Sequence, residues 1–506
     1  MGQFYVKGEQ KVRPGLYNRY TNRTVYDNTG AIDGICAVPI KATSGPMETV
    51  NLFTTSDMDR FNTMYGYGGT TDAVRELFKG GALKVYTYRL GTGGEKAKAS
   101  LNDTAASPAA VIDVEALYPG TQDIYVTVRE RLSNNGQKEL LVTGGDGGTE
   151  ILESFVFDTA ESSADTSAIV GDAIAGEAVA GGSAPSTTEV DNLLSVVEEA
   201  GSEYIKLTKK GDGNGEVALA SSVELTGGTD PEVVTSDYSN AFNALEPYRF
   251  NVITVDTQDD DVRALLVAYV ERVFQTGKWC MGVVGNDDNV GLSTRIARAK
   301  AINNMLIVYI GGAFADSTGR VEGYRCMDRI AGMIAATPSN ESVVHGSIPG
   351  AVDTVEDLTN AQYEDAYKNG VVAISKSPDG TTIWLDNGVT TLVKPGSDQD
   401  DGWKKIKRVH TRIELMDRMD RRLAPMIGKV NCTDDGISLV LQAAQDILNT
   451  MTTEGKLLDG ATVFTDPDNP HTTDSVWLIV QVDDPDTLER IYINYQFRFS
   501  PDTVTA

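Results

Sequence analysis

Phe250-Asn251-Val252-Ile253-Thr254-Val255, followed by Asp259 to Gly277 and then by Trp279-Cys280-Met281-Gly282-Val283-Val284, is the stretch that decides the fold. The outer pieces are short apolar runs without polar alternation, the pattern of strands buried on both faces. Between them, Asp259-Asp260-Asp261 supplies capping carboxylates. Val262, Leu265, Leu266, Tyr269 and Val273 then recur at helical spacing, and Gly277 ends the run. Downstream the alternation continues, with a helix over Ser293 to Ile302, a strand over Met305 to Ile310 and a helix over Arg325 to Ala336. Apolar strands separated by helices predict an α/β fold with a parallel sheet covered on both faces.

The same pattern is present upstream. Ile35 to Ile40 is an apolar strand, Ser56 and Asp57 are helix caps, Thr71 to Phe78 is a short helix ended by Gly80-Gly81, and Leu83 to Tyr88 alternates as a strand. From 91 to about 235 the composition shifts to Gly, Ala, Ser, Thr and acids. Strand patterns stand at 124–128, 140–142, 155–157 and 204–207, while 159–190 carries almost no pattern. This predicts a mostly β inserted domain projecting from the core. After 370 come a strand at 371–374 and a hairpin turning at Asp386-Asn387-Gly388. A basic amphipathic helix follows over 403–423, striped by Val409, Ile413, Met416, Met419 and Leu423 and stopped by Pro425, and then a second helix over 437–451. Both ends of the chain carry strand-forming segments. Phe4 and Val6 alternate near the start, before a turn through Val12 and Tyr17. Val476 to Val482 and then Ile491, Ile493, Tyr495, Phe497 and Phe499 alternate at the end. The expected organisation is an N-terminal arm (1–20), a first core part (21–90), the inserted β-rich domain (91–235), a second α/β core part (236–370), a C-terminal α/β domain (371–485) and a C-terminal strand arm (486–506).

The 506 residues carry 72 acids against 44 Lys and Arg, a formal charge of −28. That excess argues against nucleic acid and against anionic membranes as partners, since both are bound by Lys and Arg. The four cysteines are far apart in sequence, so there is no redox or zinc motif, and they are expected to be small buried residues of a reduced compartment. The first residues have no apolar stretch of a secretory signal, and no apolar run approaches the ~18 residues of a membrane helix. These features predict a protein made in a cytoplasm and kept there until release.

Chemistry is sparse. The three histidines are His345, His410 and His471. His345-Gly346-Ser347 lacks an accompanying nucleophile motif, and there is no phosphate-binding Gly-rich loop leading into a helix. Asp212, Asn214 and Glu216 have calcium-loop spacing, but Val217 and Val223 replace the required Gly and Glu. No cofactor or metal is expected. The one local anomaly is the charge reversal in the basic helix, where Lys404, Lys405, Lys407, Arg408, Arg412, Arg418, Arg421 and Arg422 face only Glu414, Asp417 and Asp420. It reads as a solvated face balanced by internal carboxylates or as a docking surface for an acidic patch.

Several segments together resemble the contractile tail sheath family: Val12-Arg13-Pro14-Gly15-Leu16-Tyr17; Ala116-Leu117-Tyr118-Pro119-Gly120-Thr121; Leu225-Thr226-Gly227-Gly228-Thr229-Asp230; Ile330 to Pro338 with Ser342; and Asp386-Asn387-Gly388-Val389-Thr390-Thr391-Leu392 before the basic helix. Each is short, and their order across nearly the whole chain gives the match its specificity. The resemblance implies a structural protein rather than an enzyme, with a subtilisin-like α/β core that lacks a catalytic triad. It implies a homo-oligomer of six-fold discs stacked helically around a tail tube protein, with baseplate and tail terminator proteins as further partners, in a virion tail or a released phage-tail-like particle. It also implies strand exchange between subunits through arm residues Phe4, Val6, Val12 and Tyr17 and Ile491, Ile493, Tyr495 and Phe497, and contraction that drives the tube through an envelope. The basic helix is the candidate tube-facing surface, and the flexing linkers are expected near Pro14-Gly15 and near Asp483 to Asp486. The alternatives are an α/β enzyme working through His345 and a secreted adhesin.

Overall fold

The structure is a computed structural model that describes residues 3–4, 17–18, 33–131, 136–159, 188–211, 213–285 and 289–497. The chain divides into two compact units. The larger comprises residues 32–414 and 484–506, the smaller residues 1–31 and 415–483.

The larger unit is built on a seven-stranded sheet. Its order is Val371–Val372, Ile307–Ile310, Met281–Gly285, Val252–Ile253, Ile35–Ile40, Lys84–Arg89 and Val50–Thr54. All pairings are parallel except the last, where Val50–Thr54 runs antiparallel to Lys84–Arg89. Every residue of Met281–Gly285 and Ile307–Ile310 is buried. The apolar runs without alternation are therefore covered on both faces, as their pattern requires. Helix Asp260–Gln275 starts where expected: the Asp259 carboxylate accepts hydrogen bonds from the amides of Asp261 and Val262 at 2.8 and 3.2 Å.

Helices Asp72–Gly80 and Gly323–Ala336 pack closely against each other. A Cβ on Gly332 would stand 2.1 Å from the Leu77 carbonyl oxygen, and one on Gly80 would stand 2.1 Å from that of Arg329. The two backbones therefore touch at a reciprocal glycine contact. Beside it, the fully buried Arg329 bridges Glu76 (2.5 Å) and Asp316 (2.9 Å).

The insertion forms a domain of two antiparallel sheets. One has the order Glu150–Asp158, Gln137–Gly144, Ile124–Glu130, Ala220–Glu224; the other has the order Ile205–Lys209, Ala110–Ala116, Lys98–Asn102. A helix over Glu189–Ala200, which the composition of the region masked, completes its core with Val190, Leu193 and Val197. The domain leaves and rejoins the sheet through an antiparallel neck, Thr92 opposite Glu232, Glu95 opposite Thr229 and Lys98 opposite Thr226.

The smaller unit contains a short parallel pair, Gln3–Phe4 with Tyr17–Asn18. It also holds helix Asp434–Thr453, the end of the basic helix, and an antiparallel pair, Thr462–Thr465 with Leu478–Gln481. Leu415, Ile447, Leu448, Met451 and Leu457 form its core.

Three expectations are corrected. Position 371 is no domain start, because Val371–Val372 is the edge strand of the central sheet; the compact division comes at 414/415 instead. The hairpin of this region pairs Ile374–Lys376 with Ile383–Leu385. Asn387 and Gly388 have no positive φ, which the expected two-residue turn needs, and Asn387 instead caps the carbonyl of Val371 from its side chain at 3.1 Å. At the end of the chain, Leu478–Gln481 forms as a strand, whereas the alternating residues 491–497 are in no strand.

Candidate assembly site

The basic helix occupies Ile406–Leu423, after a turn of 3-10 helix over Asp401–Lys404. Its first turn has no acidic residue and carries cations instead. Cations are disfavoured at a helix N-terminus by the macrodipole, so this charge needs partners. They come from residues 484–489. Arg408 grips Asp484 in a fork, Nε at 3.0 Å and Nη2 at 2.6 Å. Arg412 reaches the same carboxylate at 2.9 Å and places its other nitrogens on Asp400 at 2.7 and 2.8 Å, with its guanidinium 4.7 Å from the Trp403 ring centre. Lys405 pairs with Asp486 and with Glu489 (2.8 Å), and Lys407 donates to the carbonyl of Pro485.

Asp484 is buried to 8 % exposure. Burial works against its charge, yet the bonds from Arg408 and Arg412 outweigh it and hold the carboxyl below the usual range. Lys405 shows the same balance in reverse: burial penalises the ammonium, and hydrogen bonds to Asp486 and Glu489 raise its pKa nonetheless. The Arg412 fork holds Asp400 down at about 2.

The remaining predicted cations are placed as follows. Lys404 pairs with Asp401 at 2.8 Å. In the smaller unit, Arg418 forks onto Glu454 at 3.1 and 2.7 Å, and Arg421 pairs with Asp417 at 2.7 Å. Arg422 is exposed. The pairing of Lys405, Arg408 and Arg412 with residues 484–489 had no local signal in the sequence, since those carboxylates lie some seventy to eighty-five residues downstream.

Of the predicted arm residues, Phe4 and Tyr17 fall in the short parallel pair, and Val6 and Val12 lie outside the described residues. After the ion pairs, Arg490 donates to the Tyr367 hydroxyl at 3.0 Å. The chain then runs out with Ile491 73 %, Tyr492 89 %, Ile493 64 %, Tyr495 72 % and Phe497 94 % exposed. Large apolar side chains at that exposure, in sequence, mark a segment whose partner is elsewhere. The pair Thr462–Thr465 with Leu478–Gln481 likewise shows Phe464, Trp477, Ile479 and Val480 to solvent.

The histidines stand apart. His345 is exposed at positive φ (55°) and stacks on Trp384 at 4.2 Å. His410 is buried in the basic helix, and His471 is exposed. Cys36, Cys280 and Cys326 are buried, while Cys432 is half-buried with its thiol on the Thr472 carbonyl. Among the described residues no group of His, Cys, Asp and Glu is arranged to hold a metal ion, and no helix is long and apolar enough to cross a membrane.

Two of the quoted sequence motifs meet at the neck. Thr121 donates from its amide and hydroxyl to Asp230 at 2.9 and 3.0 Å. Gly120, at φ +149°, lies so close to Thr43 that a Cβ would stand 1.8 Å from its carbonyl oxygen. Fully buried Arg89 fastens the junction, donating to the carbonyls of Ala42, Gly45 and Pro119 at 2.7–3.2 Å.

Residues 232–391 match the family model of the phage tail sheath protein central domain. The chain is 23 % identical to the phage-like element PBSX protein XkdK of Bacillus subtilis, over 98 % of this chain and 99 % of that protein. It is 21 % identical to protein YqbK of the same species, over 98 % and 100 %. Among solved structures it is similar to the sheath tail protein of Desulfitobacterium hafniense, with a TM-score of 0.65 and 16 % identity over 92 % of this chain and 100 % of that one. It is also similar to that of Listeria innocua, with a TM-score of 0.64 and 18 % identity over 90 % and 96 %. Residues 232–391 are thus similar to the central domain of phage tail sheath proteins, and the chain has a mixed α/β multidomain fold shared with solved sheath tail proteins.

Proposed function

We propose that the chain is the structural subunit of a contractile tail sheath. Copies polymerise as six-fold discs stacked helically around a tail tube, bounded by baseplate and terminator proteins, and contraction drives the tube through a target envelope. Assembly takes place in the bacterial cytoplasm, and the product is a virion tail or a phage-tail-like particle. The α/β core is read as a subtilisin-like scaffold without a triad. The observation that carries the reading is the exposed apolar segment 491–497, which follows a sheath-type core and has strand alternation without a strand partner. Such a segment gains both its hydrogen bonds and its burial by adding to a sheet edge of another copy. The two-stranded sheet Thr462–Thr465 with Leu478–Gln481, with its exposed apolar residues, is the candidate acceptor. In that assembly the exposed end of the basic helix, with Arg422, is our candidate for a weak contact with the tube, since the other seven cations have carboxylate or carbonyl partners within the chain.

Truncation tests this. Removing 487–506, or 1–14, is expected to leave a soluble folded chain that forms no rings or tubes in negative-stain electron microscopy, while the full chain forms six-fold tubes at rising concentration. Intact tubes from either truncation would rule out strand exchange.

A further inference from the structure

The charge reversal in the basic helix has an intramolecular partner set that is compact and largely out of water. Lys405, Arg408 and Arg412 are 18, 24 and 17 % exposed, and their acceptors Asp484 and Glu489 are 8 and 13 % exposed. The anions sit at the end of the helix where the macrodipole also attracts them, so helix and cations pull in one direction. The fastening stops abruptly: the last anchored residue is Arg490, on Tyr367, and the exposed apolar run begins at Ile491. A free apolar strand that departs from a fixed point has a defined reach and direction; one departing from a loose tether samples many, and ordering it on binding costs conformational entropy.

We propose that residues 405–412 form an electrostatic clasp for the root of the C-terminal arm, and that Asp484, Asp486 and Glu489 are positioning residues which aim residues 491–497 at a second copy of this chain. This rests on the sheath reading for the arm's destination, but the clasp itself does not. It also moves the flexible point: a root held by forked ion pairs over 484–490 is no hinge, so the bending expected near Asp483 to Asp486 falls before Asp484. Because the contacts are ionic and partly exposed, the clasp opens with salt, whereas an apolar anchorage would tighten.

The test uses the full chain, dilute and unassembled, with Cys432→Ser and nitroxide labels at Ala361→Cys, in the exposed face of helix Asn360–Lys368, and at Tyr492→Cys. Spin–spin distance distributions are expected to be narrow at 50 mM salt and at least twofold broader at 1 M. The pair Asp484→Asn with Glu489→Gln is expected to broaden them at low salt, and Arg408→Gln with Arg412→Gln, which leaves Asp484 without its two guanidinium partners, to broaden them likewise. The salt series on the unsubstituted clasp needs no variant to fold. Unlabelled Asp484→Asn/Glu489→Gln chain is expected to form at least tenfold less tube in electron micrographs. A distribution that neither salt nor substitution alters overturns the clasp. So does tighter binding of the substituted chain to a tube protein with an unchanged distribution, which would make the cations a tube surface. A clasp that opens while tube yield holds overturns its positioning role. Failure of the unsubstituted chain to assemble, with the distribution responding as expected, overturns the sheath reading and leaves the clasp standing.

Discussion

His410 lies buried in the basic helix, and its Nε2 has no hydrogen-bond partner among the described residues. Burial pushes its pKa down from 6.5 to about 4, against the pull of the nearby Glu414 carboxylate and a hydrogen bond to the Thr337 backbone. A histidine whose folded pKa is depressed binds fewer protons than in the unfolded chain. Its neutral form therefore contributes full stability above about pH 6.5, and that contribution is lost as pH falls toward 4, up to about 3 kcal/mol. We expect His410→Gln to flatten the acid side of the stability curve between pH 6.5 and 4, measured by denaturant titration at several pH values. A parallel curve for the variant would exclude the buried histidine as its cause. Asp256 and Asp328 act in the opposite sense. Both are buried, Tyr238 and Thr254 respectively donate to them at 2.6 and 2.8 Å, and burial raises the pKa of each. The comparison of variant with parent isolates His410 from them. None of this was legible in the sequence, where His410 is one polar residue among cations; its burial depends on what packs over the helix.

Helices Asp72–Gly80 and Gly323–Ala336 are the clearest case of an element whose existence was legible and whose contact was not. The sequence marks both as helices, the first ended by Gly80-Gly81, but Gly332 within an apolar helix run reads only as a mild propensity cost. The reciprocal approach of Gly332 to Leu77 and of Gly80 to Arg329 gives it a reason. Alanine at an ordinary helical glycine gains about 1 kcal/mol. Here the added methyl meets backbone, which cannot rotate away, so we expect Gly332→Ala to destabilise by about 1–3 kcal/mol in urea melts. A neutral or stabilised variant would show that the helices can separate without loss. The Asn387-Gly388 misassignment has a similar origin. The dipeptide favours a tight turn locally, but the Val371 carbonyl offers the Asn387 side chain a partner, and the strands pair elsewhere.

At the scale of the molecule, the larger unit is a sheet interrupted once, and the interruption is narrow. The neck strands run side by side, with Lys98 and Thr226 exchanging backbone hydrogen bonds at 2.8 and 2.9 Å. Closing the chain there requires only a short turn, and loop-closure entropy changes slowly with length. Replacing 99–225 by a two-residue Asn-Gly link is expected to leave a folded chain with its cooperative thermal transition, lowered by a few degrees because Arg89 loses the Pro119 carbonyl. Loss of the transition in differential scanning calorimetry would mean that the inserted domain is part of the core's folding unit. The same view explains the excess of acid. Much of it lies in the inserted domain and on exposed loops, where like charge aids solubility, whereas the one basic region is drawn inward by carboxylates of its own chain.

By itself the sequence determined the parallel α/β core, the β character of the insertion, most helix positions and the apolar alternation at the end of the chain. These follow from residue type and spacing, which act over a few residues. Only the tertiary structure decided that Val371–Val372 closes the central sheet, that glycines bring two helices into backbone contact, that two motifs more than one hundred residues apart form one neck, and that the basic helix is neutralised by residues 484–489. Each of those joins groups distant along the chain, and no local pattern carries the identity of a partner that packing alone supplies.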